Sequence, residues 1–244
     1  MKYLLSRGSL PILTKLAEGR TLCAFDFDGT LSPIVDHPDS AGMRDRTRDL
    51  LRHLALLYPC IVVSGRARAD VLGKVSGIRF AQVIGNHGAE TEATQTSSHL
   101  LDQWRTALEL ELTSLPGSWI EDKGYSLAIH YRHSTQRAEA RRKILAITRT
   151  LKNVRAFGGK QVVNLVTDEA PNKGHAVASE RDRLGCAWVL YVGDDENDED
   201  AFALGGNVVS VRVGRRLRTH ARYYLRAQSE VDDLLEKLVR LREA

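Results

Sequence analysis

The sequence has no run of about 18 uncharged apolar residues, so it offers no membrane-spanning helix. Its three cysteines, at 23, 60 and 186, are too few and too scattered for a disulfide framework or a cysteine metal cluster. Cys23 and Cys60 lie inside apolar runs and read as small core residues. Charge of neither sign dominates: 35 Lys and Arg against 31 Asp and Glu leave +4 at pH 7, mild for a nucleic-acid binder. Aromatics are scarce at 6%, and only Tyr223 and Tyr224 stand near a basic run, which argues against a base-stacking surface. No internal repeat or low-complexity tract is present. The opening "MKYLLSRGSLPILTKLAEGR" is only weakly like a secretory signal, because Ser6, Arg7 and Lys15 interrupt its apolar stretches and no small-residue cleavage site follows. Cytoplasm is the expected location.

What is present is enough apolar material, 43% of 244 residues, for one large domain or a core with a smaller insert. Apolar runs recur at 21–25, 60–64, 81–85, 188–193 and 208–213. Between several of them lie helical patterns, such as Leu50, Leu51, Leu54 and Leu57, then Val71, Leu72 and Val75. Continuous apolar strands alternating with helices predict an α/β fold, a doubly wound, mainly parallel, Rossmann-like sheet covered on both faces. The middle of the chain differs. A polar stretch leads to a helix bearing Leu101, Trp104, Leu108 and Leu112, then to a hairpin turning at "DKG", a second helix, and a strand pair expected to turn at Gly158-Gly159. This predicts a compact α+β insert at 93–168, between core segments 1–92 and 169–244. Near the end, Ser229 and Asp232 are placed to cap a helix presenting Leu234, Leu235, Leu238 and Leu241. Basic residues cluster in "RAEARRKILAITRTLKNVR" and "RVGRRLRTHARYYLR"; those of the first most simply form the wet side of an amphipathic helix, and they also suit an anionic substrate.

"AFDFDGTLSP", at 24–33, ends an apolar run in two aspartates one residue apart. A surface turn also favours Asp and Gly, so the rest of the chain must decide its meaning. In open α/β sheets, ligands bind beyond the carboxyl ends of strands. Asp26 sits just past the first strand, Ser64 ends the second, Asp194 and Asp195 follow "WVLYVG", and Lys173 opens a helix. Carboxylates and a lysine gathered at one rim make sense around a divalent cation and a phosphate. Mg²⁺ prefers oxygen ligands, and Lys173, Ser64 and loop N–H groups suit the phosphate. Of two carboxylates at i and i+2, one can attack phosphorus and the other can exchange protons with the leaving group and water.

The segments "DFDGT", "VSGR", "NKG" and "GDDEND" resemble the four motifs of the haloacid-dehalogenase-like phosphotransferase superfamily. The resemblance implies Asp26 as nucleophile, Asp28 as general acid and base, and Ser64, Gly65 and Lys173 as phosphate holders. It implies a Mg²⁺ ion held at Asp26, Asp28 (by its backbone carbonyl), Asp194 and Asp195, with Asp198 filling the last acidic position. An insert between Ser64 and Lys173 is where that superfamily carries its larger cap. From about residue 20 to 235, "DFDGTLSPI", "GNHGAE", "EDKGYSLAIHYR", "GKQVVNLV" and "GDDENDEDAF" look like the trehalose-6-phosphate phosphatase family. That likeness implies hydrolysis of trehalose 6-phosphate, with Arg66, Asn86, His87, Glu121, Lys123, His130, Arg132 and Asn164 as substrate contacts. Asn164 departs from the family's usual Glu, which keeps hydrogen bonding but removes a charge. A phosphatase for another sugar phosphate would share the core and differ in the insert. A non-catalytic module would need a broken motif, and none is broken.

Overall fold

The computed structural model describes residues 1–92, 98–159 and 161–244. The chain forms two compact units: Met1–Thr91 with Asn172–Ala244, and the inserted Glu92–Pro171. The expected boundary at residue 93 and most of the polar stretch behind it lie outside the described residues, as does Lys160 of "GKQVVNLV". The second unit runs to Pro171, and within it Arg155 donates from its NH2 to the Ala170 carbonyl at 2.8 Å.

In chain order the strands are β1 (Lys2–Tyr3), β2 (Thr21–Phe25), β3 (Cys60–Val63), β4 (Gln82–Ile84), β5 (Trp119–Asp122), β6 (Leu127–His130), β7 (Val154–Gly159), β8 (Val162–Thr167), β9 (Trp188–Gly193), β10 (Val208–Val213) and β11 (Tyr223–Leu225). The helices are α1 (Leu10–Glu18), α2 (Asp45–Leu57), α3 (Arg68–Lys74), α4 (Ser98–Leu112), α5 (Arg137–Thr148), α6 (Lys173–Arg183), α7 (Glu199–Phe202) and α8 (Glu230–Glu243). The first unit is a seven-stranded sheet ordered β1-β11-β10-β9-β2-β3-β4, with every neighbouring pair parallel.

Strand alternation sends Cys23, Phe25, Cys60 and Val62 to one face, where Leu13 and Leu16 of α1, Leu51 and Leu54 of α2 and Leu234, Leu235 and Leu238 of α8 pack. Leu22, Ala24, Ile61 and Tyr191 turn to the other face, against Ala176 and Val177 of α6 and Phe202 of α7. Because both faces are covered, the strands read as unbroken apolar runs. Each buried aliphatic side chain contributes roughly 1.5–3 kcal/mol, so this double layer fixes the strand ends that carry the polar residues. The three cysteines are buried and unpaired.

Asp232 does not cap α8. Its carboxylate, buried, accepts from Thr47 Oγ1 at 2.6 Å and pairs with Arg44 at 3.1 Å, so it ties α8 to the start of α2. Ser229 makes no side-chain cap either. Glu230 takes the local role, accepting from the Arg226 amide at 2.8 Å and from Tyr3 Oη at 2.8 Å.

The insert is an antiparallel sheet ordered β5-β6-β8-β7. Leu127, Ile129, Val163 and Leu165 form its core with Leu101, Trp104 and Leu108 of α4 and Ile144 of α5. Arg141, Arg142 and Arg149 point to water, as an amphipathic α5 requires. The glycine pair does not make the second turn. Gly158 and Gly159 pair with Val163 and Val162, so β7 runs through them, and Gln161, just before β8, has φ 60°.

Candidate active site

The residues with chemical potential sit where the parallel strands end. Asp26 follows β2, Ser64 follows β3, Asp194 follows β9, and Lys173 is the first residue of α6. β2 and β9 are neighbours from which the chain winds outward in both directions, so Asp26 and Asp194 flank the sheet's topological switch point.

Lys173 is fully buried and donates from Nζ to Asp26 Oδ1 at 2.6 Å and to Asp198 Oδ1 at 2.7 Å. Burial alone would pull the ammonium's pKa down, but Asp198 and Asp26 hold it above its usual value, so the lysine stays charged. Burial pushes Asp26 well above the ordinary carboxylate range, and Lys173 opposes that without cancelling it. Asp198 goes the other way. It too is buried, yet Lys173, the Asp195 amide and Tyr191 hold it below its usual value.

Asp198 is the hub of its loop. Oδ1 accepts from Lys173 and from Tyr191 Oη at 2.7 Å, and Oδ2 accepts from the Asp194 and Asp195 amides, both at 2.9 Å. The Asp195 carboxylate returns to the Asp198 amide, completing a capping box. Arg212, buried on β10, donates to the Asp194 carbonyl at 2.5 Å, the Asp195 carbonyl at 3.1 Å and Glu199 Oε1 at 3.0 Å. Sequence reasoning did not single out Tyr191 or Arg212. The signal was there: each is polar within a mainly apolar central strand, where a polar group needs a partner.

Asp28 stands apart from Lys173. Arg66 grips it in a fork, Nε to Oδ2 at 2.7 Å and NH2 to Oδ1 at 2.8 Å, while NH1 reaches Asp70 at 2.7 Å. Ser64 is buried, its Oγ accepting the Arg66 amide at 3.1 Å. Gly65 lies against the His87 ring, which a Cβ would meet at 2.4 Å. Asn86 and His87 take consecutive left-handed conformations (φ 47° and 59°), a strained pair of the kind that gathers at functional sites. Glu90 holds them in place by accepting from Asn86 Nδ2 at 2.8 Å and the Arg68 amide at 2.6 Å, and Asn197 Nδ2 lies 3.3 Å from His87 Nδ1.

In the insert, β5, β6 and β8 bring Glu121, His130 and Asn164 to the sheet face opposite its helices: Glu121 pairs with Ala128, Ala128 with Asn164, and Trp119 with His130. Glu121 Oε2 lies 2.7 Å from His130 Nε2 and 3.9 Å from Lys123 Nζ, and Trp119 stacks on His130 at 4.6 Å between centroids. Asn164 is buried, and Arg132 lies two residues beyond the end of β6.

One group of carboxylates among the described residues could hold a cation: Asp26, Asp194 and Asp198, with oxygens within 4.8 Å of one another. Of the four residues expected around a metal, Asp26 and Asp194 are in this group. The Asp195 carboxylate is directed to the Asp198 amide, and that of Asp28, expected to contribute only its backbone carbonyl, to Arg66. All-oxygen donors suit a hard divalent ion. Gly29, at φ 84°, lets the loop come so close that a Cβ there would meet Asp194 Oδ2 at 2.2 Å, so this chain bends tightly around the acidic group.

A doubly wound parallel sheet with an aspartate and a lysine joined at its rim and an acidic trio beside them is the fold class of the solved phosphatases it resembles, those of the haloacid-dehalogenase superfamily among them. A phosphatase of that superfamily from Bacteroides thetaiotaomicron superposes with a TM-score of 0.67 over 98% of both chains, at 14% identity. The C-terminal domain of C. albicans trehalose-6-phosphate phosphatase superposes more closely, with a TM-score of 0.82, 22% identity and 98% of both chains covered. Residues 24–221 match the family model described as Trehalose-phosphatase. Trehalose 6-phosphate phosphatase RA3 of Zea mays is 30% identical over 93% of this chain and 72% of its own length. Probable trehalose-phosphate phosphatase 2 of Oryza sativa subsp. japonica is 29% identical over 95% and 71%. The chain belongs to the trehalose-phosphatase family.

Proposed function

We propose that this chain hydrolyses trehalose 6-phosphate to trehalose and phosphate through a phosphoaspartate on Asp26. The observation that carries the mechanism is the buried Lys173–Asp26 contact of 2.6 Å at the switch point, which presents a carboxylate and a cation together to an incoming phosphate. A carboxylate oxygen of Asp26 attacks phosphorus while the bond to the sugar oxygen breaks, and Asp28 gives its proton to that oxygen. Asp28 then takes a proton from water, the water oxygen attacks phosphorus, the bond to Asp26 breaks, and inorganic phosphate leaves. Lys173, Ser64 Oγ and the Gly65 amide hold the phosphate oxygens, and Arg66 orients the Asp28 carboxylate.

Mg²⁺ fits the oxygen donors at Asp26 and Asp194 with the Asp28 carbonyl, and when bound it supplies positive charge that offsets the phosphate dianion. Asp195 and Asp198, whose carboxylates are engaged within the loop, order the donors. The insert, read as a specificity cap, supplies Glu121, Lys123, His130, Arg132 and Asn164 to the sugar, with Asn86 and His87 contributing from the core. Three buried free thiols accord with a reducing, cytoplasmic setting.

Asn164, where the family usually has Glu, favours a second reading in which another sugar phosphate is preferred. A phosphate-release panel separates the two. Trehalose 6-phosphate is expected to give the highest kcat/KM, and a higher value for glucose 6-phosphate or another disaccharide phosphate would overturn the assignment.

A further inference from the structure

The peptide joining Asp194 to Asp195 is held at both ends by charged groups of opposite sign. Its carbonyl accepts from Arg212 NH2 at 2.5 Å, and its N–H donates to Asp198 Oδ2 at 2.9 Å. Asp198 already serves Lys173 and Tyr191, so it belongs to the catalytic group itself. Arg212 is different. It comes from β10, paired in register with Gly193, the residue before Asp194, and reaches the loop from behind. Its guanidinium lies over the Phe202 ring at 5.9 Å and its side chain is 3% exposed. Three hydrogen bonds go to the Asp194 carbonyl, the Asp195 carbonyl and Glu199 Oε1, while Glu199 Oε2 accepts the His220 amide at 2.7 Å.

We propose that Arg212 is a positioning residue for the cation site: by fixing the Asp194–Asp195 peptide plane it aims the Asp194 carboxylate, and Glu199 neutralises its charge so that the aim is not offset by repulsion. This rests on the metal-assisted reading above. A guanidinium suits the task because its planar fork satisfies two carbonyls and a carboxylate at once, which an ammonium cannot match in geometry. Residues behind a metal ligand change metal affinity without touching the metal. The charge makes the idea discriminating. If Arg212 acted on the cation only through Coulomb repulsion, removing it would tighten binding. If it positions Asp194, removing it loosens binding.

The test measures Mn²⁺ binding by the loss of the free-ion electron paramagnetic resonance signal, on wild type, Arg212→Met, Arg212→Lys and Glu199→Gln. Melting temperature in EDTA and turnover against Mg²⁺ concentration are recorded alongside. Arg212→Met is expected to raise the Mn²⁺ dissociation constant about 10–100-fold, with a parallel rise in the Mg²⁺ needed for half-maximal turnover. Arg212→Lys should recover part of the loss. Glu199→Gln, which leaves the guanidinium uncompensated, should also weaken binding. KM for the sugar phosphate at saturating Mg²⁺ should stay near that of wild type. Unchanged or tighter Mn²⁺ binding in Arg212→Met overturns the proposal. So does failure of both Arg212 variants to fold, which would make the residue a structural one. Wild type that binds no Mn²⁺ and needs no Mg²⁺ overturns the metal-assisted reading instead, so the two failures are told apart.

Discussion

Arg66 holds Asp28 through two parallel hydrogen bonds of 2.7 and 2.8 Å, so the proposed acid and base is oriented by a residue two positions beyond Ser64, the proposed phosphate holder. The sequence had suggested Arg66 as a substrate contact. A fork on Asp28 predicts a different phenotype. Arg66→Ala should lower kcat about 10–100-fold for trehalose 6-phosphate and p-nitrophenyl phosphate alike, because the lost interaction orients the acid and not the sugar. Arg66→Lys should recover little, since one ammonium cannot reproduce the fork. A defect confined to KM for the sugar phosphate would return Arg66 to a purely substrate-binding role.

Asp26→Asn should abolish turnover and raise the melting temperature near neutral pH. Burial lifts the folded-state pKa of Asp26 above its unfolded value, so stability is lost as pH rises from the unfolded value through the folded one. The amide removes the cost and still accepts from Lys173. The difference between variant and wild type should shrink as pH falls toward the unfolded carboxylate range. Calorimetry at several pH values measures this, and a lower melting temperature for the variant at neutral pH would contradict it.

Removing divalent ions should stop hydrolysis, and adding Mg²⁺ should restore it. Asp194→Asn should raise the Mg²⁺ needed for half-maximal turnover by tenfold or more, because it removes a charged donor from the acidic group. Undiminished phosphate release in EDTA would eliminate the metal-assisted reading.

Glu121→Ala and Lys123→Ala should separate sugar recognition from phosphate chemistry. Losing a charged partner to a buried hydroxyl costs about 1.5–3 kcal/mol, or roughly 10–100-fold in kcat/KM for trehalose 6-phosphate. Hydrolysis of p-nitrophenyl phosphate, which has no sugar, should barely change. His130→Gln should resemble Glu121→Ala, since Glu121 and His130 are 2.7 Å apart and act together. Equal loss of both activities would mean that the insert residues serve stability.

The sequence by itself determined the strands of the parallel sheet, because a strand covered on both faces must be apolar throughout, and this shows in 21–25, 60–63, 188–193 and 208–213. It also determined which residues stand at the strand ends, since Asp26, Ser64 and Asp194 directly follow those runs. Two short strands, Lys2–Tyr3 and Tyr223–Leu225, escaped because two or three residues carry no readable period. Partners were decided only by the tertiary structure. Lys173 reaches Asp26 across 147 positions because α6 packs on the sheet face formed by β2, β3 and β9, and no local pattern encodes that packing. The same holds for Asp232 on Thr47 instead of its own helix, for Arg66 on Asp28, and for Arg212 behind the Asp194 loop. Hydrophobic periodicity is a property of neighbours in the chain, whereas a buried charge takes whichever partner the packed strands bring within hydrogen-bond reach.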